Sequence, residues 1–278
     1  AIKNVAIGAN ALKVSTADSN VAVGYDAGQA NTSGAGVVAV GPWCLQANTT
    51  GSFNTSVGRS GLYANTTGSC NTAMGRNALS SNQTGNDNTA LGIYALGANT
   101  TAARNIGIGN SALVATTTGG ENVAVGQESA KHLTTGTLNV AIGRQALCKQ
   151  TTASYNTAIG GYAMRYNNNA TGCVAVGLEA LRGTSDGNPL SGDYNTAVGS
   201  GSGEDMRDGQ ANTLIGYRAG RTATGASYNT FVGRLSGTAI STGDQNVAVG
   251  NYSGLALTTG DQNVFIGDNS ATAITTGN

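Results

Sequence analysis

One recurring glycine decides what this chain can fold into. It closes a short hydrophobic run at Gly8, Gly24, Gly41, Gly58, Gly75, Gly92, Gly109, Gly126, Gly143, Gly160 and Gly177, and again at Gly199, Gly216, Gly233, Gly250 and Gly267. The spacings are 16, then nine of 17, one of 22, and four of 17. A period held that closely means that each unit is one coil of a stack, because an insertion inside a coil would break its ladder with both neighbours. The expected fold class is therefore all-β: a parallel β-solenoid of about sixteen 17-residue coils, forming a single repeat domain over 1–278 with an irregular insertion near 184–190.

Aligned on that glycine, the unit reads N-[TV]-A-[VI]-G-x-x-A-L-x-x-x-T-T-G-x-x. Side chains alternate between the two faces of a strand, so the Thr/Val and Val/Ile positions share one face and Asn, Ala and Gly the other. Seventeen residues are too few for a strand and a crossover helix, and parallel stacking of identical coils is what remains. At about 4.8 Å per coil, this predicts a rod of roughly 75 Å. The position before the glycine is large and apolar in all sixteen copies, from Ile7 through Val125 to Ile266. It is expected to face a continuous core, so that Val125→Asp disrupts several coils. The opposite Ala/Gly face is small and uncharged, which suits the close approach of a second subunit. Asn stands four residues before the glycine in fourteen of sixteen units, with Val37 and Cys173 as the exceptions. Asparagines in register are expected to form a hydrogen-bonded ladder up the stack.

Composition agrees with a thin, repeated core. Gly is 43 of 278 residues, Pro is 2, and aromatics are only 5%. The 14 basic and 14 acidic residues cancel, which removes the electrostatic basis for nucleic-acid binding. No run of eighteen apolar residues is present to insert into a membrane. The first residues, AIKNVAIGAN, are already repeat, without a signal-peptide layout. Cys44, Cys70, Cys148 and Cys173 occupy different repeat positions without a C-x-x-C pair, so they read as buried free thiols rather than a zinc or redox site.

The V-A-I-G and V-A-V-G tetrads at 5–8, 21–24, 123–126, 140–143 and 247–250 resemble the S-V-A-I-G core of YadA-like head repeats. The longer form T-G-x-x-N-T-A-[VI]-G-x-x-A-L also looks like repeats of phage tail fibres and bacterial surface fibres. The resemblance spans the whole chain. It implies a left-handed β-roll that assembles as a trimer and displays a binding surface outside the cell, on a cell surface or a virion fibre. The unit here is longer than the usual adhesin repeat, and no heptad stalk or anchor barrel accompanies it. The resemblance carries no catalytic residue.

Catalysis is not expected. His132 is the only histidine, so a serine triad or a histidine metal site would rest on it alone. The glycine-rich calcium nonapeptide is missing, and no cofactor or metal is expected. Two irregularities are candidate sites. The 22-residue spacing inserts five residues within 184–190, and stacking is expected to gather Asp186, Asp193, Glu204, Asp205 and Asp208 beside Arg207 as a lateral contact. Asn31, Asn48, Asn65, Asn82 and Asn99, spaced by 17, each begin an N-x-[ST] sequon, and on an exposed turn they would be candidate glycosylation sites. Arg59, Arg76, Arg144 and Arg234 follow the column glycine as solubilising charges, while Tyr155, Tyr194 and Tyr228 precede the column Asn and suit edge packing.

These features point to a structural or adhesive fibre protein, a rigid head or shaft with a cell-surface or glycan receptor and a homo-oligomeric state. The alternative is a structural subunit of a head-to-tail filament, since the chain runs in repeat from its first residues to Thr275-Thr-Gly-Asn278. Ice binding ranks third. The recurrent Thr-Thr pair alternates between faces and makes a poorer flat array than T-x-T.

Overall fold

The computed structural model describes residues 3–184 and 190–277. The chain divides into two compact units, Ala1–Thr137 and Leu138–Asn278. Both are built in the same way, and no helix occurs among the described residues. Each column glycine is preceded by a three-residue strand, from Val5–Ile7 to Val123–Val125 in the first unit and from Val140–Ile142 to Val264–Ile266 in the second. Within each unit neighbouring strands pair parallel in chain order, every residue against its equivalent one coil on. Thr72, Ala73 and Met74 pair with Thr89, Ala90 and Leu91, and Thr213, Leu214 and Ile215 with Thr230, Phe231 and Val232. The fold is the expected parallel β-solenoid, one coil per repeat.

The faces are the reverse of those expected. The central strand residue is fully buried, as at Ala22, Ala73, Ala90, Ala124, Ala158 and Ala197, whereas its flanking neighbours are half-buried or exposed. Val125 is half-buried, and Met74, Ile142 and Ile159 are exposed. The Val/Ile column thus lines the outside of each unit and the Ala column the inside, which also removes the Ala/Gly face as a docking surface. The reason is width. From the opposite wall of the coil, the x-x-A-L segment sends in Ala78 and Leu79, Ala95 and Leu96, and Ala112 and Leu113, all fully buried. A leucine on one wall leaves room for only a methyl on the other.

Left-handed backbone at fixed positions turns the corners. In the Gly75 coil, Asn77, Leu79 and Asp87 have φ of 56°, 51° and 58°, and the same places recur in coil after coil. A leucine there costs about 1–2 kcal/mol in backbone strain, offset by about 1.5–3 kcal/mol from burying its side chain. The column glycine is a different case. At Gly75 φ is 136°, and a Cβ would stand 2.6 Å from the Gly92 carbonyl oxygen, so backbone packs on backbone and no other residue fits.

In two coils the leucine of x-x-A-L becomes glycine and the strand centre is large instead, whereas at Gly28 and Gly203 the centre stays alanine and leucines of neighbouring coils, Leu12 and Leu181, reach the space. Gly220 and Gly237 occupy the leucine position in coils whose strand centres are Leu214 and Phe231. A Cβ on Gly237 would meet the Phe231 ring at 2.5 Å, and one on Gly220 would meet Leu214 at 2.6 Å. In the Gly220 and Gly237 coils core volume is conserved by exchanging it between facing walls.

The expected asparagine ladder is present. Asn71 donates its backbone N–H and its Nδ2 to Asn54 Oδ1 at 3.0 and 3.2 Å, and a second Nδ2 proton to the Gly85 carbonyl at 2.8 Å. Asn212, Asn229 and Asn246 repeat the pattern in the second unit. At the exceptions the chain keeps the backbone bond: Val37 N–H reaches Asn20 Oδ1 at 2.8 Å, and Cys173 N–H reaches Asn156 Oδ1 at 2.9 Å.

Candidate functional site

The insertion is flanked by an ion-pair cluster whose membership differs from the expected one. The described chain resumes at Leu190, which is buried and bridges to Asn167 in parallel register. On the next coil, Glu204 is nearly buried between two arginines, Arg182 at 3.0 Å and Arg221 at 3.1 Å. Asp205 lies 3.4 Å from Arg182 and 3.8 Å from Arg221, and Glu179 lies 3.4 Å from Arg182. Five charges from three successive coils, two before the insertion in sequence and three after it, therefore form one network that clamps the stack.

Glu204 and Asp205 were expected there, but their partners Arg182 and Arg221 were not. The latter are found by advancing 17 residues from Glu204 to Arg221 and reading the equivalent position, Arg182, on the coil before. Asp193 serves a different turn, its Oδ1 accepting the Thr171 N–H at 2.8 Å. Asp208 donates its backbone N–H to Thr224 O at 3.0 Å. The Arg207 carbonyl accepts the N–H groups of Ser191 and Gly192, which sets the register after the insertion. Asp186 lies outside the described residues.

The sequon asparagines are not on an exposed edge. Asn31, Asn48, Asn65, Asn82 and Asn99 are fully buried and form a second internal ladder. Each Nδ2 from Asn48 onward donates to the preceding Oδ1 at 2.7–2.8 Å, and also to a carbonyl three residues ahead, Gly68 for Asn65 at 2.9 Å. A nitrogen enclosed in the core with both protons donated is out of reach of a glycosylating enzyme, and the expectation of sugar on these residues is overturned. The threonine that follows four of these asparagines, all but Asn82, is structural as well. Thr49 Oγ1 donates to Thr66 O at 3.0 Å, and Thr100 Oγ1 donates to Thr117 O at 3.2 Å.

The arginines after the column glycine do more than solubilise. Arg76 and Arg234 stack over Tyr94 and Tyr252 at 5.1 and 4.8 Å, and Arg59 over Trp43 at 4.9 Å. These are cation–π contacts between adjacent coils, worth about 0.5–1 kcal/mol each where exposed. Tyr155, Tyr194 and Tyr228 are exposed, and Tyr194 lies against Gly172, where a Cβ would meet its ring at 2.9 Å.

Three of the thiols are buried and Cys70 is exposed. Burial pushes the Cys44 thiol above its ordinary pKa. The Cys173 thiol is pushed up to about 11, first by burial and secondarily by the negative charge of Asp193, against hydrogen bonds that lower it. Among the described residues no group of three or more His, Cys, Asp or Glu side chains is placed to hold a metal ion. No helix among the described residues is long and apolar enough to cross a membrane.

The outer strand face is itself a surface feature. Met74 and Ile106 in the first unit, and Ile142, Ile159, Val198 and Ile215 in the second, are each more than a third exposed. Ile106 stands in the threonine column, and the others occupy the position before the column glycine. An apolar stripe therefore runs along the sheet of each unit, more than a third exposed at those four residues of the second unit and at Met74 in the first, where its neighbours are half-buried. Threonine joins it one column over, in runs such as Thr55, Thr72 and Thr89. No protein-family model, no curated protein and no solved structure matches this chain.

Proposed function

We propose that this chain is a structural and adhesive fibre protein of the YadA-like head type, working outside the cell on a bacterial surface or phage tail fibre. In this reading it is a homo-oligomeric β-solenoid whose remaining surface is displayed to a cell-surface or glycan receptor. The observation that carries it is the apolar stripe on the outer strand face. Monomeric soluble proteins rarely expose contiguous apolar patches beyond a few hundred Å², and a regular stripe in strand register is self-complementary to a second copy. Backbone groups are engaged between coils, and the charges of the cluster flanking the insertion are paired, which leaves display and assembly, rather than chemistry, as the work of the surface.

Sedimentation velocity combined with negative-stain imaging tests the proposal. Discrete trimers that dissociate when Ile142 and Ile159 are changed to lysine support it. Open-ended filaments favour the head-to-tail structural alternative, and a monomer at all concentrations sinks both.

The third reading, ice binding, gains one observation. The outward strand columns place Thr55, Thr72 and Thr89, and again Thr196, Thr213 and Thr230, in stacked runs beside apolar neighbours. The runs are interrupted by Val and Ile, as at Ile106 and Val123, which keeps this reading third. Ice-recrystallisation inhibition by the monomeric Ile142→Lys/Ile159→Lys form would favour it over assembly.

A further inference from the structure

A groove of about 490 Å³ opens on the side of the first unit, away from the strand face. It exists because of one break in a column of long side chains. Five residues after the column glycine, successive coils carry Gln29, Gln46 and Tyr63, then Ser80 and Gly97, then Val114. Tyr63 forms one wall, and the short Ser80 and Gly97 leave the space beside it. The lining includes Ser60, Asn77, Ser81 and Gln83.

Two properties of the lining restrict the ligand. First, the groove has no Lys, Arg, Asp, Glu or His in its wall. Second, the side chains of Ser60, Tyr63, Asn77, Ser81 and Gln83 make no hydrogen bond within the protein among the described residues, whereas Ser80 Oγ is used internally on Gly97 O at 3.3 Å. Two amides, each offering both donor and acceptor, and several hydroxyls therefore converge on one space beside an exposed aromatic ring. An anionic ligand would find no counter-charge there, and an apolar one would leave the amides without partners. A sugar ring answers both conditions: its C–H face packs on an aromatic ring, and its hydroxyls give and accept hydrogen bonds around the edge.

We propose that this groove binds a neutral oligosaccharide, with Tyr63 as the stacking platform and the Asn77 and Gln83 amides as the hydroxyl readers. The proposal rests on the display reading above and gives its receptor a chemical class and a place. A shallow site with a single ring binds weakly, on the order of 1 mM, and repeated chains in an oligomer raise the effective affinity.

The test is saturation-transfer NMR on the full chain with lactose, cellobiose and N,N′-diacetylchitobiose, beside 3′-sialyllactose and a heparin disaccharide. At least one neutral disaccharide is expected to bind, about tenfold or more weakly to Tyr63→Ala and to Ser80→Gln. The second variant keeps the platform and both amides and only fills the gap, with the residue type that Gln46 already places in that column, so it separates occupancy from folding. Tyr228→Ala, in the other unit, is expected to bind like the parent. The proposal is overturned if no neutral disaccharide binds, if only the charged ligands do, or if binding survives both groove variants. Sedimentation of the same samples keeps the two ideas apart. Oligomers without sugar binding remove the groove and leave assembly standing, while a monomer that binds lactose through Tyr63 does the reverse.

Discussion

The coils around Asn31–Ala102 and those around Met206–Leu257 solve the same interior problem in two ways. In the first region the inner corner column is Asn48, Asn65, Asn82 and Asn99, and the opposing wall is leucine against alanine. In the second the same column is Met206, Ala223, Ile240 and Leu257, and Gly220 and Gly237 face Leu214 and Phe231. The backbone path and strand register persist through both. A coil therefore specifies a volume and a requirement that every buried polar group be paired, and not particular residues. In the first region the polar column is a ladder, whereas the isolated Asn167 of the second unit closes both its bonds on Ala170. The ladder ends where Asn gives way to Thr116, whose hydroxyl turns to Leu133 O at 3.0 Å, and there Asn99 Oδ1 is left buried without a donor.

The largest effect expected from breaking this comparison is at Gly237. Gly237→Leu forces a side chain into the Phe231 ring and strains nothing that Leu79 does not already tolerate, so overpacking alone is expected to cost about 3 kcal/mol or more. Phe231→Ala alone leaves a cavity and costs about 3–5 kcal/mol. The double variant recreates the alanine–leucine pair of the first unit and is expected to recover at least about 2 kcal/mol relative to the sum, by urea unfolding of the four proteins. Strict additivity would show that the two positions do not share one volume.

Next come the ladder asparagines. Asn65→Ala removes a donor from Asn48 Oδ1 and from Gly68 O and is expected to cost about 2–4 kcal/mol. Asn99→Ala, at the end of the ladder with its oxygen already without a donor, is expected to cost about half as much by the same measurement. Equal costs would contradict the ladder account.

A smaller effect concerns pH. The Cys173 thiol has its folded pKa raised from 9.0 to about 11, so the folded chain holds this proton where the unfolded chain has lost it. The stability it contributes is complete below pH 9 and falls away as pH rises toward 11. The alkaline decline in melting temperature is expected to flatten in Cys173→Ala. Smallest of all, removing the exposed Arg104–Glu121 pair, 3.0 Å apart, by Glu121→Gln is expected to change stability by less than about 0.5 kcal/mol.

Much of this architecture was legible from the repeat alone. The glycine period located each strand, the recurring Asn announced its ladder, and the absence of room for a helix left parallel stacking. The facing of the strands was not legible from a single unit, because alternation defines two faces without saying which is inside. Assigning Ile7, Val125 and Ile266 to the core follows the usual preference for burying large aliphatics. It fails here because Leu79 and its equivalents fill the interior from the other wall. A signal for this did exist: the strand centre becomes Leu214 or Phe231 in coils where the facing position is Gly220 or Gly237. The buried sequons were missed for a related reason. An Asn in a turn reads as exposed unless its equivalents one coil away are recognised as hydrogen-bond partners. The arginines of the ion-pair cluster stand one coil away from Glu204 and Asp205, so that pairing does not stand out locally.

The central claim is that the strand centre points inward and its neighbours outward, and adjacent residues in one strand test it. Ala124 is fully buried, and Val125 beside it is half-buried on the outer face. Thermal unfolding of Ala124→Asp and Val125→Asp, measured at low protein concentration, is the direct comparison. The account predicts that Ala124→Asp loses about 4 kcal/mol or more, or fails to fold, while Val125→Asp melts within about 1 kcal/mol of the parent and shows its effect in self-association. A stable Ala124→Asp beside a collapsed Val125→Asp would contradict it.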